Sequence, residues 1–199
     1  MWQLVKGFYA IIAVLVGLFI CIKSLDYLHP NFTQGFLIGK EPFFYTYYAV
    51  VLYIHMFAAP LALFTGLIQF LFTKSKWHKR LGQIYVMSIL GFAAPSGLLM
   101  AFHALGGNWA ILNFVLLAIL WVFFTRKAYQ TIRRKNIKAH QRFMTRSFIL
   151  TNSAVFIRLF SFINHQYLDY PPLTAYVIIS WLSWLPFLMI YEGYLLVKQ

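Results

Sequence analysis

The sequence predicts an all-α integral membrane protein, a helical bundle of six transmembrane helices with both termini in the cytoplasm. Of its 199 residues, 61% are hydrophobic and only 11% are charged, and a water-soluble domain of this length cannot bury so large an apolar fraction. The chain also contains six apolar segments that approach the length of about 20 residues needed to cross a bilayer. Its basic residues are concentrated in two short connections, as expected for cytoplasmic loops.

The six predicted spans follow one another along the whole chain. We expect a single membrane domain over residues 1–199, in which the second to fifth spans, residues 43–165, form a four-helix core and the first and last spans are peripheral. The predicted spans are Phe8 to Ile22, Phe43 to Phe72, Leu81 to Leu105, Trp109 to Phe124, Arg142 to Ile163 and Pro172 to Val197.

The second span begins with an aromatic cluster, Phe43–Tyr48, which is typical of the membrane interface. His55 then lies about two helical turns below the outer surface. Small residues on the same helical face as His55 permit close contact with a neighbouring helix, and we expect Pro60 to kink the span. The same face reaches Gln69 near the inner end of the span.

The third, fourth and sixth spans contain few polar residues. The third span ends on the outer side at His103, and the run Gly106-Gly107-Asn108 predicts the turn that follows. The fourth span has Asn113 as its only strong polar group. The sixth span carries Pro186 and, near its inner end, Glu192, which is the only acidic residue of the cytoplasmic half.

The fifth span has the most specific polar pattern of the chain. Steps of three and four residues keep side chains on one face of an α-helix. A charged residue is costly in lipid, so this face should look into a protein interior or a water-filled cavity. Arg158 is the strongest single indication of a functional or bundle-organising site. The face comprises His140, Met144, Ser147, Thr151, Ala154, Arg158, Ser161 and His165.

The net charge of +13 arises mainly in the two predicted inner loops. In a membrane protein, such loops lie beside the headgroups, so the expected partner is the bilayer with its anionic lipids on the cytoplasmic face. Nucleic acid is not expected as a partner. The first loop contains Lys74, Lys76, Lys79 and Arg80, and the second contains Arg126, Lys127, Arg133, Arg134, Lys135, Lys138 and Arg142.

A weak internal repeat links the third and fifth spans. Both spans run from the inside to the outside, so a duplication would relate the two halves by an axis along the membrane normal. The matching elements are displaced by 62 residues: His78-x-Arg80 recurs as His140-x-Arg142, and His103 recurs as His165.

Three histidines, His55, His103 and His165, are predicted in the outer third of the membrane on different spans. A b-type haem needs two neutral imidazoles from facing helices, apolar walls and cationic groups near its propionates. Two of the three histidines can serve as axial ligands, and Arg158 can pair with a propionate or a quinone. The leading hypothesis is therefore a haem-b protein of quinol-linked electron transfer.

Two other classes of function remain open. A transporter or proton relay could use the same His/Arg-lined cavity, with Gln69 and Glu192 toward its inner gate and His140 as a further candidate on the polar face. Three histidines could also hold zinc or copper. The single cysteine, Cys21, excludes an internal disulfide and a cysteine-ligated metal cluster. No catalytic triad, phosphate-binding loop or zinc-protease motif occurs, so enzymatic activity stays open, as does the oligomeric state.

Two stretches carry a family resemblance: the run His140-x-Arg142-x-Met144-x-Arg146-Ser147-Phe148-x-Leu150-Thr151 with Arg158-Leu159, and the run His78-Lys79-Arg80-x-Gly82-x-x-Tyr85. They resemble the bacterial membrane proteins of domain of unknown function 2306, over about Tyr45 to His165, and this implies a polytopic protein of the bacterial inner membrane. A looser likeness to haem proteins of the cytochrome b561 and ferric-reductase types rests on histidines on several helices. The chain departs from those proteins by lacking a histidine on span four.

Overall fold

The computed structural model describes residues 2–33, 35–73 and 75–198, and these residues form helices and their connections without a strand. Lys74, one of the predicted inner-loop cations, lies outside the described residues. Within them, six helical segments are long and apolar enough to cross a membrane, which confirms the prediction of an all-α protein with six spans. The spans are Lys6–Leu28, Glu41–Leu71, His78–Ala101, Asn108–Arg133, Ile137–Leu168 and Pro172–Val197.

Several spans are built from more than one helix. Three π-helical segments are π1 (Phe44–Tyr48), π2 (Ser88–Ala93) and π3 (Asn164–Leu168). Short 3-10 turns cover Leu25–Leu28 and Gly35–Leu37 in the connection between the first and second spans. Inner and outer denote throughout the predicted cytoplasmic side and the opposite side. The α-helices of the described residues are α1 (Trp2–Ser24), α2 (Glu41–Phe43), α3 (Ala49–Leu71), α4 (His78–Met87), α5 (Ala94–Ala101), α6 (Asn108–Arg133), α7 (Ile137–Thr151), α8 (Ser153–Ile163), α9 (Pro172–Leu182) and α10 (Leu185–Val197).

The helix ends differ from the predicted ones chiefly at the inner side. α6 continues to Arg133 instead of ending at Phe124, and the fifth span begins at Ile137 instead of Arg142. Long basic side chains explain the difference, because they let a helix continue while their charged ends reach the headgroups. Spans that are predicted to end at the first cluster of charged residues are therefore too short.

The chain forms two compact units, one up to His103 and the other from Ala104 onward. In the first unit, α3 packs against α1, α4, π2 and α5. In the second unit, α6 and α7 form a hairpin whose connection comprises residues 134–136, α9 packs against α6 and α8, and α10 packs against α7. The expectation of one domain with a four-helix core stays a prediction.

Small residues form the contact face of α3. Ala58, Ala62 and Gly66 are buried, and in a membrane such side chains let helix backbones approach closely, where dispersion and hydrogen bonds hold them together. Pro60 lies inside α3 without ending it. Because proline has no N–H, the carbonyl of Met56 lacks its usual helical partner.

The first outer loop covers the outer end of the first unit. Leu37, Phe44, Tyr48 and Leu52 form a buried cluster, and further aromatic rings of the loop pack around it. Lys40 lies in this apolar surrounding with only 2% of its surface exposed. Its ammonium group donates a 2.6 Å hydrogen bond to the carbonyl of Phe36 and sits 4.6 Å from the centre of the Phe36 ring.

Candidate functional site

Each of the three predicted outer histidines lies at a π-helical segment. His55 on α3 contacts π2, His103 contacts two tyrosines of π1, and His165 is part of π3. π-turns are rare, and they occur frequently at functional sites because they free a backbone carbonyl or redirect a side chain. The coincidence favours a functional role for this set over a set of surface histidines.

His55 is fixed by one hydrogen bond to the backbone of the third span. Its Nδ1–H donates to the carbonyl of Ala93 at 2.8 Å, and the hydroxyl of Ser96 lies 3.3 Å from the same nitrogen. The ring packs over Gly97, where an added Cβ would lie 3.1 Å from the imidazole Cε1. Since Nδ1 carries the proton, Nε2 keeps its lone pair.

His103 lies in an aromatic cage at the outer end of the first unit. In its Nδ1–H tautomer, Nε2 accepts a hydrogen bond from the hydroxyl of Tyr47. The imidazole stacks on Phe43 with ring centres 4.2 Å apart and meets the Tyr48 ring edge-on at 5.7 Å. The cage joins a phenol and an imidazole, two groups that exchange protons.

His55 and His103 occupy different depths within the first unit. Tyr48, which contacts His103, precedes His55 by seven residues, and seven helical residues correspond to a rise of about 10 Å. A bond between a metal and an imidazole nitrogen is about 2 Å long. One metal ion therefore cannot bond to both histidines in this arrangement.

The predicted polar face of the fifth span is buried in its inner half and exposed in its outer half. Ser147 and Thr151 are buried, whereas the side chains of Arg158 and His165 are exposed. The expectation of one continuous inward face assumed that neighbouring helices cover the whole span. α7 ends at Thr151 and α8 begins at Ser153, but helical hydrogen bonds from Asn152 to Phe148 and from Phe156 to Asn152 continue through the junction. The outer end of the span is instead left uncovered, since residues 161–163 and 165–168 are all exposed.

The outer half of this face carries Arg158, the strongest single indication of a functional or bundle-organising site in the sequence. Within the described residues, the Arg158 guanidinium makes no hydrogen bond or ion pair. An exposed arginine near the end of a span reaches the headgroups with its charged tip. The second unit therefore presents Arg158 outward, and the inward orientation that the spacing of this residue predicted is not observed.

The inner half of the face organises the contact between α7 and α6. Ser147 and Thr125 share a 2.7 Å hydrogen bond between their hydroxyls, and the indole N–H of Trp121 donates to the Thr151 hydroxyl at 3.0 Å. His140 donates from Nδ1 to a backbone carbonyl of α6 at 2.8 Å. Hydrogen bonds of this kind hold membrane helices together.

An ion pair that the sequence analysis did not identify joins α7 to α10. Arg146 donates from Nε and Nη2 to the two carboxylate oxygens of Glu192, at 2.6 and 2.7 Å. The rings of Phe124, Phe143 and Tyr191 surround the guanidinium, with centres 5.2 to 5.7 Å away. A signal was present, because a lone acid inside a span requires a cationic partner and Arg146 lies within the neighbouring span.

Two buried amides are only partly hydrogen-bonded among the described residues. Gln69 is buried near the inner end of α3, with its side-chain oxygen against Gly82 and its amide nitrogen unpartnered. Asn113 accepts a 2.8 Å hydrogen bond from the indole of Trp184, while its own amide nitrogen has no partner. Buried groups of this kind are uncommon, and both residues were noted from the sequence.

A three-histidine metal site is not assembled in the part of the chain that the structure describes. No group of three histidine, cysteine, aspartate or glutamate side chains comes together there. The zinc or copper alternative therefore receives no geometric support, whereas a haem needs only two axial ligands.

A family model matches more than half of the chain. Residues 52–195, more than half of the chain, match the model described as predicted membrane protein, DUF2306. Neither the curated proteins nor the solved structures that were compared contain a match. The likeness to cytochrome b561 stays a prediction. The matched region includes the runs at His78 and His140 on which the resemblance was based, and the chain is accordingly a multi-pass membrane protein that belongs to the DUF2306 family.

Proposed function

We propose that the protein is an electron-transfer protein of the bacterial inner membrane that binds a b-type haem in the outer half of the bilayer and oxidises quinol. The observation that carries the proposal is the hydrogen bond from Nδ1–H of His55 to the carbonyl of Ala93. A histidine that ligates a metal usually donates its other ring N–H to a carbonyl or carboxylate, which fixes the tautomer and the orientation of the ring.

The surroundings of His55 fit one axial ligand. Its Nε2 makes no hydrogen bond among the described residues, and the ring is partly buried between α3 and the π2–α5 segment. Gly97 has no side chain, which leaves room for the imidazole of His55 in this orientation. A bound haem would supply one-electron transfer, and His55 would hold and orient it.

The cage around His103 supplies the second part of the proposal. Oxidation of a quinol releases protons, and imidazole is the side chain best suited to accept and pass on a proton near neutral pH. The Tyr47 hydroxyl and the His103 imidazole are already hydrogen-bonded at the outer end of the first unit. We assign this pair to binding the quinol hydroxyl and taking up its proton, and not to iron ligation.

The optical spectrum of the detergent-purified protein, expressed with ample haem, tests the proposal. We expect Soret and α bands that respond to dithionite, and we expect His55→Ala to lose them and imidazole to restore them in part. His140→Ala is the matched control, because His140 also donates from Nδ1 to a backbone carbonyl, and it should keep the spectrum. A colourless wild-type protein, or an unchanged spectrum in His55→Ala, would overturn the proposal.

Two further variants test the assignment of the Tyr47–His103 pair. His103→Ala should keep the haem spectrum, because His103 is assigned to the quinol and not to the iron; conversion of a low-spin spectrum into a high-spin one would contradict this assignment. Tyr47→Phe should keep the spectrum and slow reduction by quinol by about 100-fold or more, within the range of a lost proton-transfer group.

A proton relay without haem is the second candidate, and the hydrogen bond between Tyr47 and His103 favours it. Proton uptake into proteoliposomes by a colourless protein, abolished in His103→Gln, would support this function over electron transfer.

A further inference from the structure

The α6–α7 hairpin carries a strongly basic surface that the proposed function does not use. Residues 126–142 contain seven lysines and arginines and no acidic residue. All seven side chains are exposed, and none takes part in an ion pair among the described residues. We call this surface the hairpin platform; it comprises Arg126, Lys127, Arg133, Arg134, Lys135, Lys138 and Arg142.

The hairpin holds the platform in a fixed geometry. Lys135 adopts a left-handed conformation with φ of 58°, and the backbone N–H groups of Lys135 and Asn136 donate to carbonyls of α6. The side chain of Asn136 caps α7 by accepting a 3.0 Å hydrogen bond from the N–H of Ala139. His140 ties the first turn of α7 to α6. Because the backbone is ordered before any ligand arrives, binding requires little further ordering of the connection.

Apolar side chains alternate with the cations of the platform. Tyr129, Ile132 and Ile137 are exposed, the last with 61% of its surface. Exposed isoleucines beside lysines and arginines are typical of the boundary between headgroups and acyl chains, where the apolar part enters the lipid and the charges stay outside. These apolar side chains would contribute little to the binding of a soluble polyanion.

We infer that the hairpin platform binds anionic phospholipids, with their phosphates among the basic side chains and their acyl chains against Tyr129, Ile132 and Ile137. The charge is complementary, since seven exposed cations face no acid within residues 126–142. Each basic residue near an anionic membrane surface strengthens binding about fivefold, so the removal of three should weaken it by about 100-fold.

Titration of the full-length protein in detergent with phosphatidylglycerol, followed by native mass spectrometry, tests the inference. We expect Arg133→Gln/Arg134→Gln/Lys138→Gln to lose about 100-fold in affinity. The matched control, Lys76→Gln/Lys79→Gln/Arg80→Gln, removes the same charge from the other basic connection, so that its loss measures diffuse attraction alone, and this loss should be smaller by about tenfold or more. Equal losses in the two triple variants would overturn the inference, because they would indicate diffuse attraction. Helical circular dichroism of each variant verifies folding.

A second variant and two competitors identify the ligand chemistry. Ile132→Gln/Ile137→Gln keeps every charge and should weaken phosphatidylglycerol binding by about tenfold. Phosphatidylcholine should bind far more weakly than phosphatidylglycerol. Displacement of the lipid by millimolar inorganic phosphate would show a free-phosphate site, and tighter binding of an RNA oligonucleotide than of lipid would show a nucleic-acid surface; either result contradicts the inference.

Discussion

Lys40 shows how a single side chain in the outer loop couples the fold to pH. The residue lies outside the membrane spans, and its ammonium group is surrounded by the rings of Phe36 and Tyr48. Burial lowers the pKa of Lys40 to about 8, because the apolar surrounding disfavours the charged form. In the unfolded chain, the pKa of lysine is about 10.4.

This difference predicts the direction of a pH effect on stability. Between pH 8 and about 10.4, the unfolded state binds more protons than the folded state, so the contribution of Lys40 to stability increases as the pH rises. Below pH 8 the cost of burying the charged amine is fully present. We expect the melting temperature of the wild type, relative to that of Lys40→Met, to rise between pH 7.5 and 10 in detergent.

The control for this pH effect is Lys23→Met, since Lys23 is exposed and pairs with Asp26 at 3.3 Å. Its melting curve should parallel that of the wild type at every pH. Parallel curves for Lys40→Met as well would refute the assigned role of burial at Lys40.

The residue scale also shows where sequence reasoning succeeds. The aromatic entry to the second span gave the depth of His55 and its place on a helix-contact face, and the structure agrees with that contact face. The hydrogen bond from His55 to Ala93 could not be predicted from the sequence, because it depends on the course of the backbone in π2. The inward orientation predicted for Arg158 is not observed, because the outer end of the fifth span is left largely exposed.

At the scale of elements, the ion pair between Arg146 and Glu192 connects α7 to α10. Arg146 is 15% exposed and Glu192 is 42% exposed, so the pair is only partly shielded from its surroundings. Removal of one partner from a buried pair typically costs 3–5 kcal/mol, and the partial exposure reduces our estimate to about 2 kcal/mol. The lost partner leaves the other charge uncompensated near lipid.

We therefore expect Glu192→Gln and Arg146→Met each to lower the unfolding free energy in mixed micelles by about 2 kcal/mol. The double variant Arg146→Met/Glu192→Met should be more stable than either single variant, because it leaves no unpaired charge. Arg142→Met, one turn earlier on α7 and exposed, is the control and should change stability little. A double variant less stable than both single ones would contradict this account.

The number of membrane elements could be read from the sequence, whereas their internal breaks could not. Six apolar stretches predicted six spans, because the length of a span is set by the bilayer. The turn at Asn152 and the three π segments leave no trace in hydropathy, since they alter the backbone hydrogen bonds and not the composition. The predicted face from His140 to His165 assumed that neighbouring helices cover the whole span, whereas only its part on α7 is buried.

At the scale of the whole molecule, the distribution of charge predicts the orientation in the membrane. The basic connections that precede the third and fifth spans should face the cytoplasm, which with six spans places both termini there as well. The single cysteine, Cys21, simplifies a labelling test. In a Cys21→Ser background, Asp169→Cys should react with a membrane-impermeant maleimide in intact cells, and Arg134→Cys should react only after permeabilisation.

The reverse labelling pattern would invert the topology and would move the proposed haem site to the cytoplasmic half of the bilayer. Loss of reactivity at both positions would be resolved by Lys198→Cys, at the end of the described chain. The charge rule was available from sequence alone, and the family match over residues 52–195 is consistent with the multi-pass arrangement that it presupposes.

The π2 segment contains one residue more than an α-helical turn, and a deletion tests this feature where a substitution does not. A π-turn closes with one residue more than an α-turn, so deletion of any one residue within Ser88–Ala93 would let an ordinary helix form there. The shorter span would keep its hydropathy, and the part beyond the deletion would keep its orientation, because the π-turn accommodates the additional residue within itself. Ser96 and Gly97 would then still face His55, so the deletion tests whether the additional residue in π2 positions the carbonyl of Ala93 that accepts the hydrogen bond from His55.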